Sequence, residues 1–384
     1  MHFEFSTATQ IVFGQGKLQE VTAHATEIGN RAFVITGQSG KRAEKLYALL
    51  EQDGIDTVSF QVTGEPTITS VYNGIEKARE NECSSVIAIG GGSVIDSGKV
   101  IAALLTNSGK LIEYLEVIGN GRTIQNNPAY FIAIPTTSGT GSEVTRNAVI
   151  KSTEHKVKVS VRSLLLLPKL SIVDPELTYT MPPAVTASTG LDALTQLAEA
   201  YVSNRANFLT DGICRVGLKR AAHSLERAFK DGTDIKAREE MSVASLFGGI
   251  ALANAKLGAV HGFAGVIGGM FDAPHGVICG RLLPYVMETN VLAVQKRASA
   301  SPVIERYEEM ASLFTGKTNA KLEDVIQWIH DLCDVLHVPH LTEYGITQDD
   351  FTTIVEKSQM ASSMKGNPIK LTNDELYAIL EQAV

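Results

Sequence analysis

The stretch VIAIGGGSVIDSGK, residues 86–99, decides the fold of this chain. Its apolar, β-rich start ends in Gly90, Gly91, Gly92 and Ser93, and a helical pattern follows directly. Backbone N–H groups without side-chain cover at a helix N-terminus can approach a phosphate. Three glycines between a strand and a helix can equally be no more than a tight turn. The stretch alone leaves both interpretations open.

A second loop favours the phosphate-binding interpretation. IAIPTTSGTGSEVT, residues 132–145, also follows an apolar run, and it carries hydroxyl groups at Thr136, Thr137, Thr140 and Thr145. A simple connection does not need so many small and hydroxyl-bearing residues. Two polar loops at strand ends predict a crevice for a dinucleotide.

The rest of the chain falls into two regions. In the first half β-rich runs alternate with helical patterns, which predicts a parallel α/β sheet. From Pro183 onward strand patterns nearly vanish, and helical periodicity replaces them. Helices are expected over residues 186–202, 208–229, 236–256 and 303–314.

These patterns predict an α/β Rossmann-like nucleotide-binding domain over residues 1–183 and an all-helical domain over residues 184–384. The segment rich in proline, threonine and glycine at residues 174–190 is the expected connection. FEFSTATQIVFG, residues 3–14, alternates like a β-strand or a β-hairpin.

Composition excludes several classes of protein. A chain of 384 residues exceeds the roughly 250–300 residues of a single core, which agrees with two domains. With 44% hydrophobic residues and a net charge of −8, we expect a soluble globular protein that does not bind nucleic acid. The apolar region 243–271 is interrupted by polar residues, and its cleanest run is shorter than the ~20 residues of a membrane span, so a buried helix is expected there.

Cysteines and the N-terminus bear on the compartment. The four cysteines are far apart and form no CxxC pair, so we interpret them as reduced thiols of the core. The N-terminus has neither the basic start nor the apolar block of a signal peptide. Both observations favour a cytoplasmic protein. The cysteines are Cys83, Cys214, Cys279 and Cys333.

Several stretches, in their order and spacing, resemble the iron-containing (group III) alcohol dehydrogenases of the dehydroquinate-synthase-like superfamily. They are FGQGKL, GGGSVIDSGK, IPTTSGTGSEVT, VDPELTYTMPP, GLDALTQLAEAYVS, AVHG followed by DAPHG, and the terminal NP at Asn367–Pro368. The resemblance covers nearly the whole chain. It implies a Rossmann-like domain, a helical domain, and a cleft between them that holds a nicotinamide cofactor and a metal.

The resemblance also assigns the cofactor to particular residues. It implies that Gly91, Gly92 and Ser93 contact the pyrophosphate. The other residues that the resemblance assigns to the cofactor are Asp96, Thr136, Thr137, Thr140, Thr145 and Lys158. For Lys158 there is an alternative, in which KVKVSV is an exposed strand with alternating lysines.

The stretch VITGQSGKR, residues 34–42, bears on the choice of nicotinamide. NAD sites usually place an acidic side chain on the ribose 2′-hydroxyl after the second core strand. Gly37 stands where NAD-preferring relatives carry that acid, and Ser39, Lys41 and Arg42 offer a hydroxyl and positive charge to a 2′-phosphate. We therefore expect NADPH to be preferred over NADH. In the alternative, Lys41 and Arg42 are a solvated pair in a first helical turn.

A candidate metal site starts in TASTGLDALTQLAEAYVS, residues 186–203. Asp192, Gln196 and Glu199 share one helical face, which could also be a solvated stripe. In the family the metal ligands are an aspartate, a histidine four residues later, and two further histidines that match His261 and His275. Gln196 replaces the second ligand, and its carbonyl oxygen is a poorer partner than imidazole for iron or zinc.

A second departure lies at Gly265, where many relatives carry another active-site histidine. In the implied reaction NADPH delivers hydride to an aldehyde or ketone, while a divalent metal on Asp192, His261 and His275 polarises the carbonyl oxygen. The proton would come from a water on the metal, a ribose hydroxyl or solvent. We also expect a homodimer, because residues 3–14 resemble the segment through which relatives dimerise.

Two other functions remain open from the sequence. One is a metal-independent reductase of the same fold, similar to maleylacetate reductases. The other is non-redox, either a lyase similar to dehydroquinate synthase or a silent nucleotide-binding protein. In either case His261 and His275 could be ordinary buried side chains of the core and not metal ligands. The sequence indicates a small alcohol or aldehyde as substrate without naming it.

Overall fold

A computed structural model describes residues 3–384, which form two compact units. One unit comprises residues 6–137 and 141–180, and the other comprises residues 181–384 with the short segments 3–5 and 138–140. The first unit is α/β and the second is helical, as predicted for the fold class.

The α/β unit is built on a parallel sheet of six strands in the order β1-β8-β5-β4-β2-β3, and β6 and β7 form a separate antiparallel pair. The inner strands are buried on both faces, which explains why the sequence shows them as continuous apolar runs. The strands are β1 Gln10–Phe13, β2 Arg31–Thr36, β3 Asp56–Gln61, β4 Ser85–Gly90, β5 Tyr130–Pro135, β6 Asn147–Ser152, β7 Val157–Arg162 and β8 Leu170–Val173.

One helix of this unit lies especially close to the sheet. A Cβ atom at Gly98 would lie 2.7 Å from the Phe131 ring and 2.8 Å from the Ala88 Cβ, so only glycine fits between helix and strands. This helix, α4, begins at the glycine-rich loop Gly90–Ser93. The α-helices of the unit are α1 Ala25–Ile28, α2 Glu44–Gln52, α3 Ile68–Glu80, α4 Gly92–Thr106 and α5 Leu111–Tyr114.

Of the two structures expected for the N-terminal segment, the strand is present and the hairpin is not. Within residues 3–14 only β1 is a strand, and it pairs in parallel with β8, so no antiparallel partner lies within the segment. The preceding chain continues along the same edge, where the Thr9 N–H donates to the Pro168 carbonyl at 3.1 Å. β1 is an edge strand of the sheet, and none of its four residues is fully buried.

The helical unit contains the four predicted helices and several others. Its core is one large cluster of buried apolar side chains. The α-helices are α6 Pro183–Val202, α7 Phe208–Lys230, α8 Ile235–Ala255, α9 Ala259–Met270, α10 His275–Arg297, α11 Val303–Thr315, α12 Leu322–Val335, α13 Phe351–Met360 and α14 Asn373–Ala383.

The apolar region 243–271 was expected to form one buried helix. The structure instead shows the end of α8 followed by a separate helix, α9. The two helices are bent by 102° at a break where Lys256 has a positive φ of 62°. Among the described residues, α10 is the one single helix long and apolar enough to cross a membrane, and the bent pair of α8 and α9 qualifies only if it is counted as one span. Yet 72% of the most apolar window of α10 is buried inside the protein. That burial is typical of a core helix.

Candidate active site

Helix α6 carries three polar side chains into the interior of the helical unit. Asp192, Gln196 and Glu199 are 3–4% exposed, although they lie on the face that could have been a solvated stripe. The stripe is excluded because α6 packs against α7, α8 and α10. Buried polar groups need partners, so each of these side chains must be bonded or bind something.

The Glu199 carboxylate holds the start of α9. It accepts hydrogen bonds from the backbone N–H groups of Val260 at 2.7 Å and His261 at 3.3 Å, so it caps the helix with a negative charge. The same carboxylate lies 2.7 Å from Nδ1 of the His261 ring. An ionised carboxylate only accepts, so Nδ1 carries a proton and donates it to Glu199.

This contact aims the other ring nitrogen of His261 at Asp192. Nε2 lies 3.2 Å from Oδ1 of Asp192, and both side chains are nearly fully buried. An unprotonated Nε2 and the carboxylate oxygen are both acceptors, so this contact requires a positive charge between them. That charge is either a second ring proton, carried by Nε2, or a metal ion.

His275 supplies a second imidazole to the same point. It is the first residue of α10, and its Nε2 lies 3.8 Å from Oδ1 of Asp192. Its side chain is 34% exposed, whereas those of Asp192 and His261 are 4% and 6% exposed. The cluster therefore has a closed side and a side that faces solvent at His275.

Sequence reasoning missed a fourth member of the cluster. Cys279 lies one turn after His275 on α10, and its Sγ is 4.0 Å from Asp192 Oδ1 and 3.9 Å from His261 Nε2. One ligand atom from each of these four residues lies within 4.8 Å of the others. The i, i+4 spacing of His275 and Cys279 was the available signal, but the thiol was interpreted as part of the core.

Gln196 does not direct its oxygen at Asp192. Its amide Nε2 is the atom near Asp192 Oδ1, at 3.3 Å. Its buried Oε1 has no hydrogen-bond partner among residues 3–384 and lies against the backbone position of Gly248. In this orientation the glutamine supports the carboxylate as a hydrogen-bond donor.

The charges in the cluster stabilise one another. Burial disfavours a charged His261, but Cys279, Asp192 and Glu199 outweigh it and raise its pKa well above the ordinary value. Burial acts against ionised Asp192 as well, and His261 and His275 outweigh it to lower its pKa. Burial similarly opposes a Cys279 thiolate, whose pKa the two histidines nevertheless lower. Anionic and imidazole donors meet here as they do in metal centres.

The donor set fits a divalent transition metal. A carboxylate and two imidazoles are ligands that both iron and zinc accept, and Glu199 fixes the ring of His261 as a carboxylate does in many metal sites. The unsatisfied Gln196 oxygen shows that the buried polar groups of this face are incompletely paired within residues 3–384. These residues could therefore hold a metal ion.

The candidate cofactor residues follow three neighbouring strands of the other unit. Gly37 follows β2, Gly91 follows β4 and Thr136 follows β5, so they share one edge of the parallel sheet. A Cβ at Gly91 would lie 3.4 Å from the Thr137 hydroxyl. Gly91, Gly92 and Ser93 open α4, where free backbone N–H groups suit a pyrophosphate.

Residues expected near a 2′-phosphate lie just beyond β2. Ser39 and Lys41 are exposed, and Lys41 begins a short 3-10 helix. Arg42 is bound within the unit, since its guanidinium donates to the Thr180 hydroxyl at 3.1 Å and to the Thr180 carbonyl at 3.2 Å. Arg42 is therefore not a solvated side chain, whereas the alternative interpretation expected Lys41 and Arg42 to be a solvated pair.

Asp96 and Thr145 belong to a buried polar network around Lys99, which sequence reasoning also missed. The Lys99 ammonium donates to the Thr145 hydroxyl and to the Asn147 carbonyl, each at 2.8 Å. Asp96 accepts from the Ser142 hydroxyl and, at 2.9 Å, from a backbone N–H of β6. The network fastens α4 to the segment after the hydroxyl-rich loop.

The remaining predicted residues are dispersed. Lys158 pairs with Glu65, and Thr140 is exposed in the short segment that belongs to the helical unit. At Gly265 a Cβ would meet no described atom within 4 Å, so α9 leaves open space at this position. Roles for Lys158 and Thr140 in cofactor binding stay predictions.

Comparison with known proteins matches both halves of the chain. The family model described as iron-containing alcohol dehydrogenase covers residues 8–175, and the C-terminal model of the Fe-containing alcohol dehydrogenase family covers residues 186–384. Alcohol dehydrogenase 4 of Saccharomyces cerevisiae (strain YJM789) is 34% identical over 97% of this chain and 96% of its own. The 1,3-propanediol dehydrogenase of Klebsiella pneumoniae is 34% identical over 99% and 98%. A crystal structure of 1,3-propanediol oxidoreductase superposes with a TM-score of 0.92, at 33% identity and over the full length of both chains.

Proposed function

The chain belongs to the iron-containing alcohol dehydrogenase family, and we propose that it interconverts small aldehydes or ketones and their alcohols with a nicotinamide cofactor and a divalent metal. It is an oxidoreductase that acts on CH–OH groups, as its relatives are. The single observation that supports the metal-assisted reaction is the convergence of the buried Asp192 and His261 with the half-buried His275.

Each of these residues has a distinct task in the proposal. Asp192 supplies the anionic ligand, His261 supplies Nε2 because Glu199 retains the proton on Nδ1, and His275 binds on the solvent side. When bound, iron or zinc polarises the carbonyl oxygen as a Lewis acid while the nicotinamide supplies hydride. Gln196 orients Asp192 through its amide nitrogen.

The cofactor proposal is NADPH in preference to NADH. No acidic side chain stands at Gly37, and exposed Ser39 and Lys41 follow the same strand. A cationic side chain and a hydroxyl suit the 2′-phosphate of NADPH, whereas an NAD site usually needs an acid on the ribose. Gly91, Gly92 and Ser93 would carry the pyrophosphate at the start of α4.

The assembly and compartment are also proposed. The four cysteines are free and buried, which suits a reducing compartment such as the cytoplasm. Phe3 and Phe5 are each 37% exposed near the N-terminus, and we propose a homodimer in which this segment is covered.

A panel of aldehydes and ketones, followed by NADPH and NADH absorbance, tests the function. We expect reduction that is faster with NADPH and that requires zinc or iron, with little activity in His275→Ala. If the metal-free protein and His275→Ala are each as active as the metal-loaded native protein, the metal-independent reductase is favoured. No oxidation of either cofactor with any carbonyl compound would favour a non-redox function.

A further inference from the structure

The proposed metal site, on which this inference rests, contains three ligands at the family's positions and lacks a histidine at the fourth. Two side chains of this chain compete for that position, Gln196 on α6 and Cys279 on α10. Their contacts with Asp192 and His261 distinguish them.

Cys279 directs its sulfur into the cluster. Sγ lies 4.0 Å from Asp192 Oδ1 and 3.9 Å from His261 Nε2, and the thiol is fully buried. A tetrahedral zinc ion, with bonds of about 2.0–2.1 Å to nitrogen or oxygen and about 2.3 Å to sulfur, spaces its donor atoms roughly 3.3–3.6 Å apart. The sulfur must therefore move inward by only a few tenths of an ångström.

Gln196 directs a donor, not an acceptor, at the same carboxylate. Its Nε2 is 3.3 Å from Asp192 Oδ1, and Oε1 lies on the Gly248 side. To bind a metal, the amide would have to rotate and give up its hydrogen bond to Asp192. Even then a neutral amide oxygen is a weaker ligand for zinc than a thiolate.

We propose that Cys279 is the fourth protein ligand of the metal, so that the centre is Asp192, His261, His275 and a cysteine thiolate, to which the carbonyl oxygen of the substrate would add as a fifth ligand. Binding releases the thiol proton to solvent, and the sulfur lone pair forms the new bond. The two anionic ligands then neutralise the charge of a divalent ion in a buried site. The thiolate shifts the preference of the site from iron towards zinc, because softer sulfur ligands suit zinc.

Cobalt(II) is the probe for this ligand set, because a thiolate bound to cobalt gives a near-ultraviolet charge-transfer band that oxygen and nitrogen ligands do not give. Metal-free protein is loaded with cobalt alone, and absorption spectra are recorded for the native protein, Cys279→Ser, Gln196→Ala and Cys333→Ser. Cys333 is a matched control, since it is a buried thiol of the same unit that contacts the Gly280 carbonyl instead of the cluster.

We expect the charge-transfer band in the native protein, in Gln196→Ala and in Cys333→Ser, and its loss in Cys279→Ser. Competition between equal concentrations of zinc and iron, read by mass spectrometry of the dialysed protein, should show less zinc preference in Cys279→Ser. Visible cobalt bands without the charge-transfer band in the native protein would overturn the cysteine ligand and leave the proposed function standing. Failure of the native protein to retain any cobalt, zinc or iron would overturn both.

A second measurement does not depend on a variant that folds. X-ray absorption of the native protein loaded with zinc should show a sulfur neighbour at about 2.3 Å from the metal. A first shell of only nitrogen and oxygen would contradict the assignment, whatever the behaviour of Cys279→Ser.

Discussion

Glu199 is the residue on which the geometry of the cluster depends. Its two oxygens serve the N-terminus of α9 and Nδ1 of His261, so a single carboxylate positions the backbone and the ring. Neither sequence spacing nor the family's ligand pattern assigns it this function. The sequence predicts the helical face that carries Glu199, but it does not identify the partner of Glu199, because His261 lies 62 residues further along the chain.

Glu199→Gln should weaken metal binding by about 10–100-fold, because an amide is a poorer acceptor for Nδ1–H and no longer supplies negative charge to the imidazole. Zinc affinity is measured by competition with a chromophoric chelator. Glu309→Gln is the matched control, since that carboxylate pairs with Arg215 in the same unit. Equal zinc affinity in native protein and Glu199→Gln would refute this role of Glu199.

Gly37→Asp should shift the cofactor preference towards NADH. A carboxylate at this position would repel the 2′-phosphate and accept a hydrogen bond from a free ribose hydroxyl. The space is available, because a Cβ at Gly37 has only the Val94 side chain nearby, at 3.9 Å. Each tenfold change in the ratio of kcat/KM values corresponds to about 1.4 kcal/mol. An unchanged ratio in steady-state kinetics would show that Gly37 does not determine the preference for NADPH over NADH.

At the scale of elements, α4 shows how a buried charged network joins a helix to a loop. Lys99 is 1% exposed and donates to Ser142 and Thr145. Burial lowers its pKa to about 8, against the opposing effects of Asp96 and Glu143. Burial also raises the pKa of Glu143 to about 7, which the charge of Lys99 only partly offsets.

Glu143 should therefore make stability depend on pH. Between its unfolded pKa near 4.5 and its folded pKa near 7, the folded protein holds a proton that the unfolded chain has lost, so stability falls as pH rises through this window. Glu143→Gln should remove the part of the fall in stability that Glu143 causes, which is on the order of 1–3 kcal/mol. Urea unfolding from pH 5 to 7.5, below the pKa of Lys99, measures it.

The control for this experiment is Glu116→Gln, which removes a partly exposed carboxylate paired with Arg162. It should keep the native pH dependence. If Glu143→Gln and the native protein lose stability in parallel between pH 5 and 7.5, Glu143 is ionised in the folded protein throughout that range.

The sequence predicts elements well where periodicity is local. Both the parallel sheet and the helices after Pro183 follow from side-chain patterns, because each reflects which face of an element is buried. At the N-terminus the alternation could not distinguish a single strand from a hairpin, because it does not identify the partner strand, which is β8. Cys279 was missed because only the crossing of α6, α9 and α10 brings its sulfur to Asp192.

For the whole molecule, assembly is a separate prediction. Light scattering should give twice the chain mass of 41.2 kDa, because the exposed aromatic side chains of residues 3–5 would be covered in a dimer. Replacement of Phe3 and Phe5 by serine should shift the mass towards that of a monomer. A monomeric native protein at all concentrations would refute the dimer.

The central claim is that Asp192, His261 and His275 form a metal centre that assists carbonyl reduction. Its most direct test is a titration of metal-free protein with zinc or iron, in which bound metal and the rate of NADPH oxidation with an accepted aldehyde are measured on the same samples. Chelation should abolish the activity, and the rate should return in proportion to bound metal until binding is equimolar. Full activity in protein from which mass spectrometry finds no metal would contradict it.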